Sequence, residues 1–316
     1  MSIRTKIGAL AILAIVLVVL FMTIDAGGHW DYIIPKRGKK LIAILLTGTA
    51  IAFSTVVFQT ITNNRILTPS IIGLDSLYML LQTVIVFIFG STALTLMSKN
   101  LQFVMAVGLM VLFALLLYQL LFRREGRNIY YLLLIGLIFG TFFSSLSSFM
   151  QKLIDPNEFL IVKDKMFASF NNVNSDILLL AIGGVLVTGI YFARFNKYLD
   201  VLALGREHAV NLGVSYDYVV KRMLIVVAIL ISISTALVGP ITFLGLLVAN
   251  VAYQFLNTYR HKQLIAGASL ISIIALVGGQ LVVERVFTFS TSLSVIINFI
   301  GGVYFIYLLL KENKSW

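Results

Sequence analysis

Apolar residues arrive in long blocks in this chain, and short polar stretches separate them. The blocks lie at 7–24, 41–61, 71–96, 101–122, 129–150, 175–193, 223–238, 241–257, 264–283 and 293–310. Each is close to the ~20 residues that a helix needs to cross a bilayer, so the pattern predicts ten spans. The tightest place is 223–256, where two crossings share 34 positions with Gly239-Pro240 between them. Either the seventh helix begins earlier, around Ser215, or the two helices meet inside the protein below the outer surface. Irregular backbone at that depth must be buried in protein or line a cavity. The first block is longer than the ~7–15 apolar residues of a signal peptide, and Asp25-Ala26-Gly27 is a poor cleavage site, so it is expected to be a retained span.

Composition supports the same class. Of 316 residues, 59% are hydrophobic and 12% charged, and the mean hydropathy is +1.00. A soluble chain of this length could not cover so much apolar area. The expected fold is therefore an all-α polytopic membrane domain occupying 1–316, with no Gly/Ser-rich or Pro-rich linker dividing it. Five spans in each half would run oppositely through the membrane, the geometry of an inverted 5+5 repeat.

The net charge of +11 follows the ends of the apolar blocks, as membrane topology requires, so nucleic-acid binding is rejected. With both termini inside, the inner segments hold 15 Lys and Arg and the outer ones nine. That bias favours N-in and C-in, with extracytoplasmic loops at 26–40 and 151–174. The main violation is Pro35-Lys36-Arg37-Gly38-Lys39-Lys40, which falls outside. The expectation is that these charges serve an extracytoplasmic partner.

One inner segment is far richer in charge than the rest. Residues 194–222 carry Arg194, Lys197, Asp200, Arg206, Glu207, His208, Asp217, Lys221 and Arg222 while keeping Leu199, Leu202, Ala203, Ala209, Val210 and Leu212. Gly205 and Gly213 punctuate it, and Ser215 with Asp217 forms an N-cap signal for the next helix. Short amphipathic helices at the cytoplasmic face are expected. They are either a folded loop or the place where another protein grips the membrane domain.

Candidate chemistry is sparse. There is no cysteine, no GxxxxGK[ST], no GxSxG and no HExxH, which leaves no thiol site, P-loop or hydrolase motif. His29, His208 and His261 lack metal-ligand spacing, so no metal is expected. Asp75 and Glu284 are almost the only ionisable residues within the apolar blocks. An ion-coupled carrier would bury more of them, and it stands as the rival class. Several spans instead carry small or hydroxyl residues, among them Thr47-Gly48-Thr49-Ala50, Gly136, Gly140, Thr141, Ser144, Ser145, Ser147, Ser148 and Gly278-Gly279-Gln280. These either let helices pack closely or line a pathway for a polar solute.

Three motifs resemble one family. Gly48, Gln59, Asn63-Asn64, Pro69 and Gly73 resemble the second-helix signature of the bacterial ABC-importer permeases for iron–siderophores, haem and vitamin B12. Leu202-Ala203-Leu204-Gly205-Arg206-Glu207-His208-Ala209-Val210-Asn211-Leu212-Gly213-Val214 is similar to the family's cytoplasmic loop, and Gly239-Pro240-Ile241-Thr242-Phe243-Leu244-Gly245-Leu246 to its Gly-Pro-Ile-x-Phe-Val-Gly-Leu motif. Departures are Arg65-Ile66 where a proline is usual, Asp75 where a serine is common, and Ala249-Asn250 where many members have Pro-His.

The resemblance, which covers about 35–310, implies a bacterial cytoplasmic-membrane permease without catalytic residues of its own. ATP and Mg would sit on separate ABC ATPase subunits gripping Leu202–Gly213. A second permease chain, identical or different, would complete the path. An extracytoplasmic binding protein or lipoprotein would dock on Arg37, Lys40 and Arg285. Gly48, Gln59, Asn63, Pro69, Gly73, Gly239, Pro240, Phe243, Gly245 and Asn250 would belong to the path and its motifs. The cargo implied is a ferric siderophore, with a petrobactin-like catecholate foremost and vitamin B12 or haem as alternatives.

Overall fold

A computed structural model describes residues 2–24, 30–90, 92, 96–122, 129–171, 173–289 and 291–312. Its helices are α1 (Ile3–Thr23), α2 (Trp30–Thr62), α3 (Leu74–Phe89), α4 (Lys99–Phe122), α5 (Ile129–Leu153), α6 (Pro156–Lys165) and α7 (Ser175–Ala193). They continue with α8 (Leu199–Leu202), α9 (Arg206–Asn211), α10 (Tyr216–Val238), α11 (Leu244–Leu256), α12 (His261–Arg285) and α13 (Leu293–Glu312). No strand occurs among the described residues. Seven of these helices are long and apolar enough to cross a membrane, and three further apolar helices, Leu74–Phe89, Leu244–Leu256 and Leu293–Leu308, are shorter. Together they match the ten blocks of the sequence.

Burial sorts the bundle into centre and rim. About two thirds of the apolar window of α2 and 72% of that of α10 are buried, against 11% for α1. The two central helices pack on each other; α2 also packs on α12, and α10 on α4 and α7. α1 lies outside them against α12, with Ile12, Ile15, Val16 and Val19 exposed to the lipid side.

Two crossings are completed by broken backbone rather than by helix. α3 has 16 residues and α11 has 13; at 1.5 Å per residue these reach only ~24 and ~20 Å of a ~30 Å hydrocarbon core. The first is preceded by a 3-10 turn, Pro69–Ile72, the second by the connection 239–243. Both open expectations for 223–256 are met, because α10 starts at Tyr216 and the Gly239-Pro240 turn is also buried. The segment after α6 bonds to the residue before that turn and to the start of α13. Ser169 N–H donates to Val238 O at 2.8 Å, and Ala168 N–H to Ser294 Oγ at 3.0 Å. In each half, a central helix thus leads through a proline break to a short helix, with α2 and α10 running in opposite directions.

Three local expectations are revised. Residues 30–40 form the start of α2 rather than loop; residues 25–29, with His29, lie outside the described residues. Helix tolerates Pro35 there because the carbonyl it leaves unpaired, that of Asp31, sits in an exposed turn. The third block ends as helix at Phe89, where Gly90 takes φ +75°. Ser215 occupies the N-cap of α10 but makes no side-chain cap bond. Arg123, Arg124, Arg127 and Lys314, expected on the inner side, lie outside the described residues.

Candidate transport site and its coupling loop

The groove wall is built where α5 meets the 3-10 turn. Gly73 adopts φ +86°, and a Cβ there would lie 2.8 Å from Gly140 Cα. A Cβ on Gly136 would likewise meet Ile72 Cα at 2.8 Å, so backbone packs directly on backbone. The small residues of α5 therefore serve packing on one side. On the other side Thr141, Ser144, Ser145 and Ser148 join Ser70 and Ser76 around an open groove of about 480 Å³. Ser144 Oγ bonds Ser76 Oγ at 3.0 Å. Ser147 points the other way, buried against Thr83 Oγ1 at 2.8 Å with Gln151 alongside. Among the described residues, no charged side chain lines the groove.

The two proline breaks meet behind this wall. Thr55, Thr68, Pro69, Ser70, Asp75, Thr235, Ile241, Thr242 and Gly245 enclose a cavity of about 10 Å³, room for about one water. Thr235 Oγ1 donates to Asp75 Oδ1 at 3.0 Å, and Ser70 also bonds that carboxyl. A Cβ on Gly245 would overlap Thr55 Oγ1, so α11 can approach α2 only with glycine there. Gly48 plays the same part against α12, where a Cβ would come within 2.9 Å of Ser272 Oγ. Phe243 N–H donates to Asn298 Oδ1 at 3.3 Å.

At the C-terminal end of α2, Gln59, Asn63 and Asn250 shape one turn. Asn63 takes the left-handed φ of 49° that ends α2. Gln59 Nε2 and Asn250 Nδ2 both donate to the Arg65 carbonyl, at 2.6 and 2.9 Å. The Arg65 guanidinium lies 4.6 Å from the centre of the Tyr253 ring, a cation–π contact. Asn250 here holds backbone, so its amide binds the turn instead of facing an open path.

The loop 194–222 folds into α8 and α9, as its pattern predicts. Leu199, Leu202 and Ala209 anchor it in the core. Leu204, Val210 and Leu212 are instead more than half exposed, at 55, 51 and 63%. Ala203, Arg206, Glu207 and His208 are exposed beside them. Gly205 (φ +91°) and Gly213 (φ +80°) flank α9, and a Cβ at either would meet only open space. Glycine is required there by backbone conformation, not by crowding. Arg206 pairs with Asp217 at 3.4 Å across the exposed surface, a contact of small energetic weight.

Sequence patterning gave no sign of one link under this loop, which runs from the half-exposed Asp200 to the buried His261 and Thr60. Asp200 Oδ1 accepts the His261 backbone N–H at 2.9 Å and its ring Nδ1–H at 2.6 Å. The other ring nitrogen, Nε2, shares a 2.8 Å hydrogen bond with Thr60 Oγ1 at the end of α2. Burial would raise the Asp200 carboxyl; the hydrogen bonds from His261 and the charges of His261 and Arg260 outweigh it and hold it below its usual value.

The three cations expected to dock a partner have intramolecular partners. Lys40 Nζ pairs with Glu284 Oε1 at 2.9 Å, with side chains only 9 and 8% exposed, and Gln280 Nε2 donates to the same oxygen at 2.9 Å. Lys40 therefore faces the bundle interior rather than a docking surface. Arg37 Nη1 donates to the carbonyls of Phe21, Met22 and Ile24 at 3.0, 3.0 and 2.7 Å. Arg285 Nη2 reaches Ile24 O at 3.0 Å. Both guanidiniums close the C-terminal end of α1, where orphan carbonyls and the helix dipole favour cations. Arg37 remains part-exposed and Arg285 exposed there.

Comparison with known proteins decides the family. The model of the FecCD transport family matches residues 7–311. The chain belongs to the FecCD transport family. It is 69% identical over 313 residues, 99% of both chains, to the Petrobactin import system permease protein YclO of Bacillus subtilis. Identity to the Petrobactin import system permease protein FatC of Bacillus anthracis is 37%, over 89% of this chain and 79% of that one. Among solved structures, a metal-chelate type ABC transporter in an inward-facing conformation superposes with a TM-score of 0.83 at 22% identity, covering 98% of this chain and 100% of the other. That likeness bears on the fold, and it agrees with the helical membrane architecture. The chain is a multi-pass membrane permease of an ABC import system.

Proposed function

We propose that this chain is the permease subunit of an importer that carries a ferric siderophore of the petrobactin type across the bacterial cytoplasmic membrane. The observation that carries the cargo assignment is the 69% identity, spread over 99% of both chains, to a petrobactin import permease. Kinship that close leaves the groove and the coupling loop little room to have changed use. The chain performs no bond chemistry. A separate ABC ATPase, which holds ATP and Mg, docks on Leu202–Gly213, where Leu204, Val210 and Leu212 offer exposed apolar side chains that charged helix surfaces alone would not leave bare. A second permease chain faces the hydroxyl groove, and the path runs between the two. A binding protein or lipoprotein delivers cargo at the outer face near Arg37 and Arg285.

The neutral groove fits a carrier of bulky chelates. Hydroxyls can replace hydration one contact at a time, and the absence of a charged side chain among the described lining residues avoids a Coulomb trap for an anionic complex. Uptake of radioiron petrobactin by proteoliposomes holding this permease, its partner permease and the ATPase, with the binding protein outside, tests the proposal. Transport of ferric petrobactin well above vitamin B12 and haem is expected, and it stops without ATP. Equal or better uptake of vitamin B12 or haem would replace the cargo assignment.

A further inference from the structure

We propose that Asp200, His261 and Thr60 form a positioning relay that carries movement of the coupling loop to the transport groove. The proposal deepens the coupling role given above to 194–222 and rests on it. Asp200 belongs to α8, the short helix immediately before the exposed Leu204. Its carboxylate grips α12 twice, through the His261 backbone N–H and the ring Nδ1–H. Because His261 is the first residue of α12, Asp200 supplies from another element the acceptor that the first helical turn needs; its own N-cap residue, Arg260, makes no side-chain cap bond.

The ring then passes the link onward. Its Nε2 meets Thr60 Oγ1 at 2.8 Å, in a place where His261 is 5% and Thr60 6% exposed. Thr60 also bonds Tyr253 of α11. One imidazole thus ties the loop to the cytoplasmic ends of α2, α11 and α12. Three residues beyond Thr60, the chain turns at Asn63, and Gln59 and Asn250 hold the Arg65 carbonyl of that turn. The same backbone continues through Pro69–Ile72 to Gly73, and Ser70, Ile71 and Gly73 are themselves groove wall. A shift of α8 is therefore delivered along hydrogen bonds and a short stretch of backbone to the surface that faces cargo. Rigid elements joined in this way are the physical route by which one site biases another.

The test uses the assembled importer in proteoliposomes, with iron uptake and ATP hydrolysis measured on the same preparation. H261A is expected to leave ATP hydrolysis running while uptake per ATP falls about tenfold, within the usual range for coupling between sites. H261Q is expected to restore at least half of the native ratio, since an amide presents an N–H to Asp200 and a carbonyl to Thr60 at once. D200N and T60V are expected to lower the ratio in the same direction, and they decide the question if H261A does not insert. Adding D200N to H261A is expected to cost less than D200N costs alone, because the ring branch of the link is already cut and only the contact to the residue 261 backbone N–H remains. Native uptake per ATP in H261A, D200N and T60V would overturn the relay. If replacements at Gly205 and Gly213 also leave coupling native, the coupling role of the loop fails with it; if they uncouple while H261A does not, the relay alone fails.

Discussion

Lys40 and Glu284 illustrate how much a single pair can settle. A lysine toward the N-terminal end of a central helix would be costly inside the bundle without a counter-charge, and so would the glutamate. At 2.9 Å, with Gln280 on the same oxygen, each satisfies the other. K40A is expected to destabilise the permease by about 3–5 kcal/mol, because it leaves a buried carboxylate without its cation. The exposed neighbour serves as control, and K39A is expected within about 0.5 kcal/mol of native. Thermal unfolding in detergent reads both, and equal effects of K40A and K39A would refute the assignment. The double variant K40M/E284Q is expected to recover most of the loss. Nothing in the sequence announced this pair, since its members stand 244 positions apart. The excess of outer basic residues pointed to Lys40, but toward a partner protein rather than toward Glu284. His261 was equally silent: a lone histidine at the start of an apolar block has many uses, and only the fold brings Asp200 and Thr60 to its two nitrogens.

Elements were more legible than contacts, for a physical reason. Membrane helices announce themselves by length and apolarity, and glycines at turns by the conformations only they adopt readily, so the ten blocks and the α8–Gly205–α9–Gly213 loop could be read directly. The break at Gly239-Pro240 was legible as a shortage of residues for two crossings. The start of α2 was not, because Pro35 and four nearby basic residues look like loop when the carbonyls that Arg37 caps and the carboxylate that Lys40 meets are unseen. Gly205 and Gly213 carry the sharpest prediction at this scale. Their Cβ positions are open, so a side chain meets no neighbour and acts only by straining backbone at φ +91° and +80°, at about 1–3 kcal/mol each. G205V and G213V are expected to distort α9 locally, leave membrane insertion and thermal stability of the bundle near native, and lower uptake per ATP. Co-purification of the ATPase measures docking, and paired uptake and hydrolysis assays measure coupling. Native coupling in both variants would show that this loop does not transmit the ATPase stroke.

For the whole molecule, the central question is why α5 carries so many hydroxyls. Packing and pathway lining make different demands on neighbouring positions of one helix, and the structure separates them. Ser147 faces Thr83 and Gln151 within the bundle, whereas Ser144, Ser145 and Ser148 line the open groove. A bulky apolar side chain at Ser147 must displace close-packed neighbours, and S147L is expected to cost about 1–3 kcal/mol of stability. At Ser144 and Ser148 the same change has space to occupy, so S144L and S148L are expected to stay within about 0.5 kcal/mol of native. Their effect should appear in transport instead, because leucine narrows the groove and removes hydroxyls that would exchange with the hydration of a polar chelate. Iron uptake is then expected to fall in S144L/S148L while ATP hydrolysis and ATPase docking persist. That outcome differs from the coupling variants in its dependence on cargo: a smaller ferric catecholate should be impaired less than petrobactin, whereas uncoupling at Gly205 or His261 slows every cargo alike. Should S144L/S148L transport both chelates at the native rate, the groove is a helix-packing surface and the path lies elsewhere in the bundle.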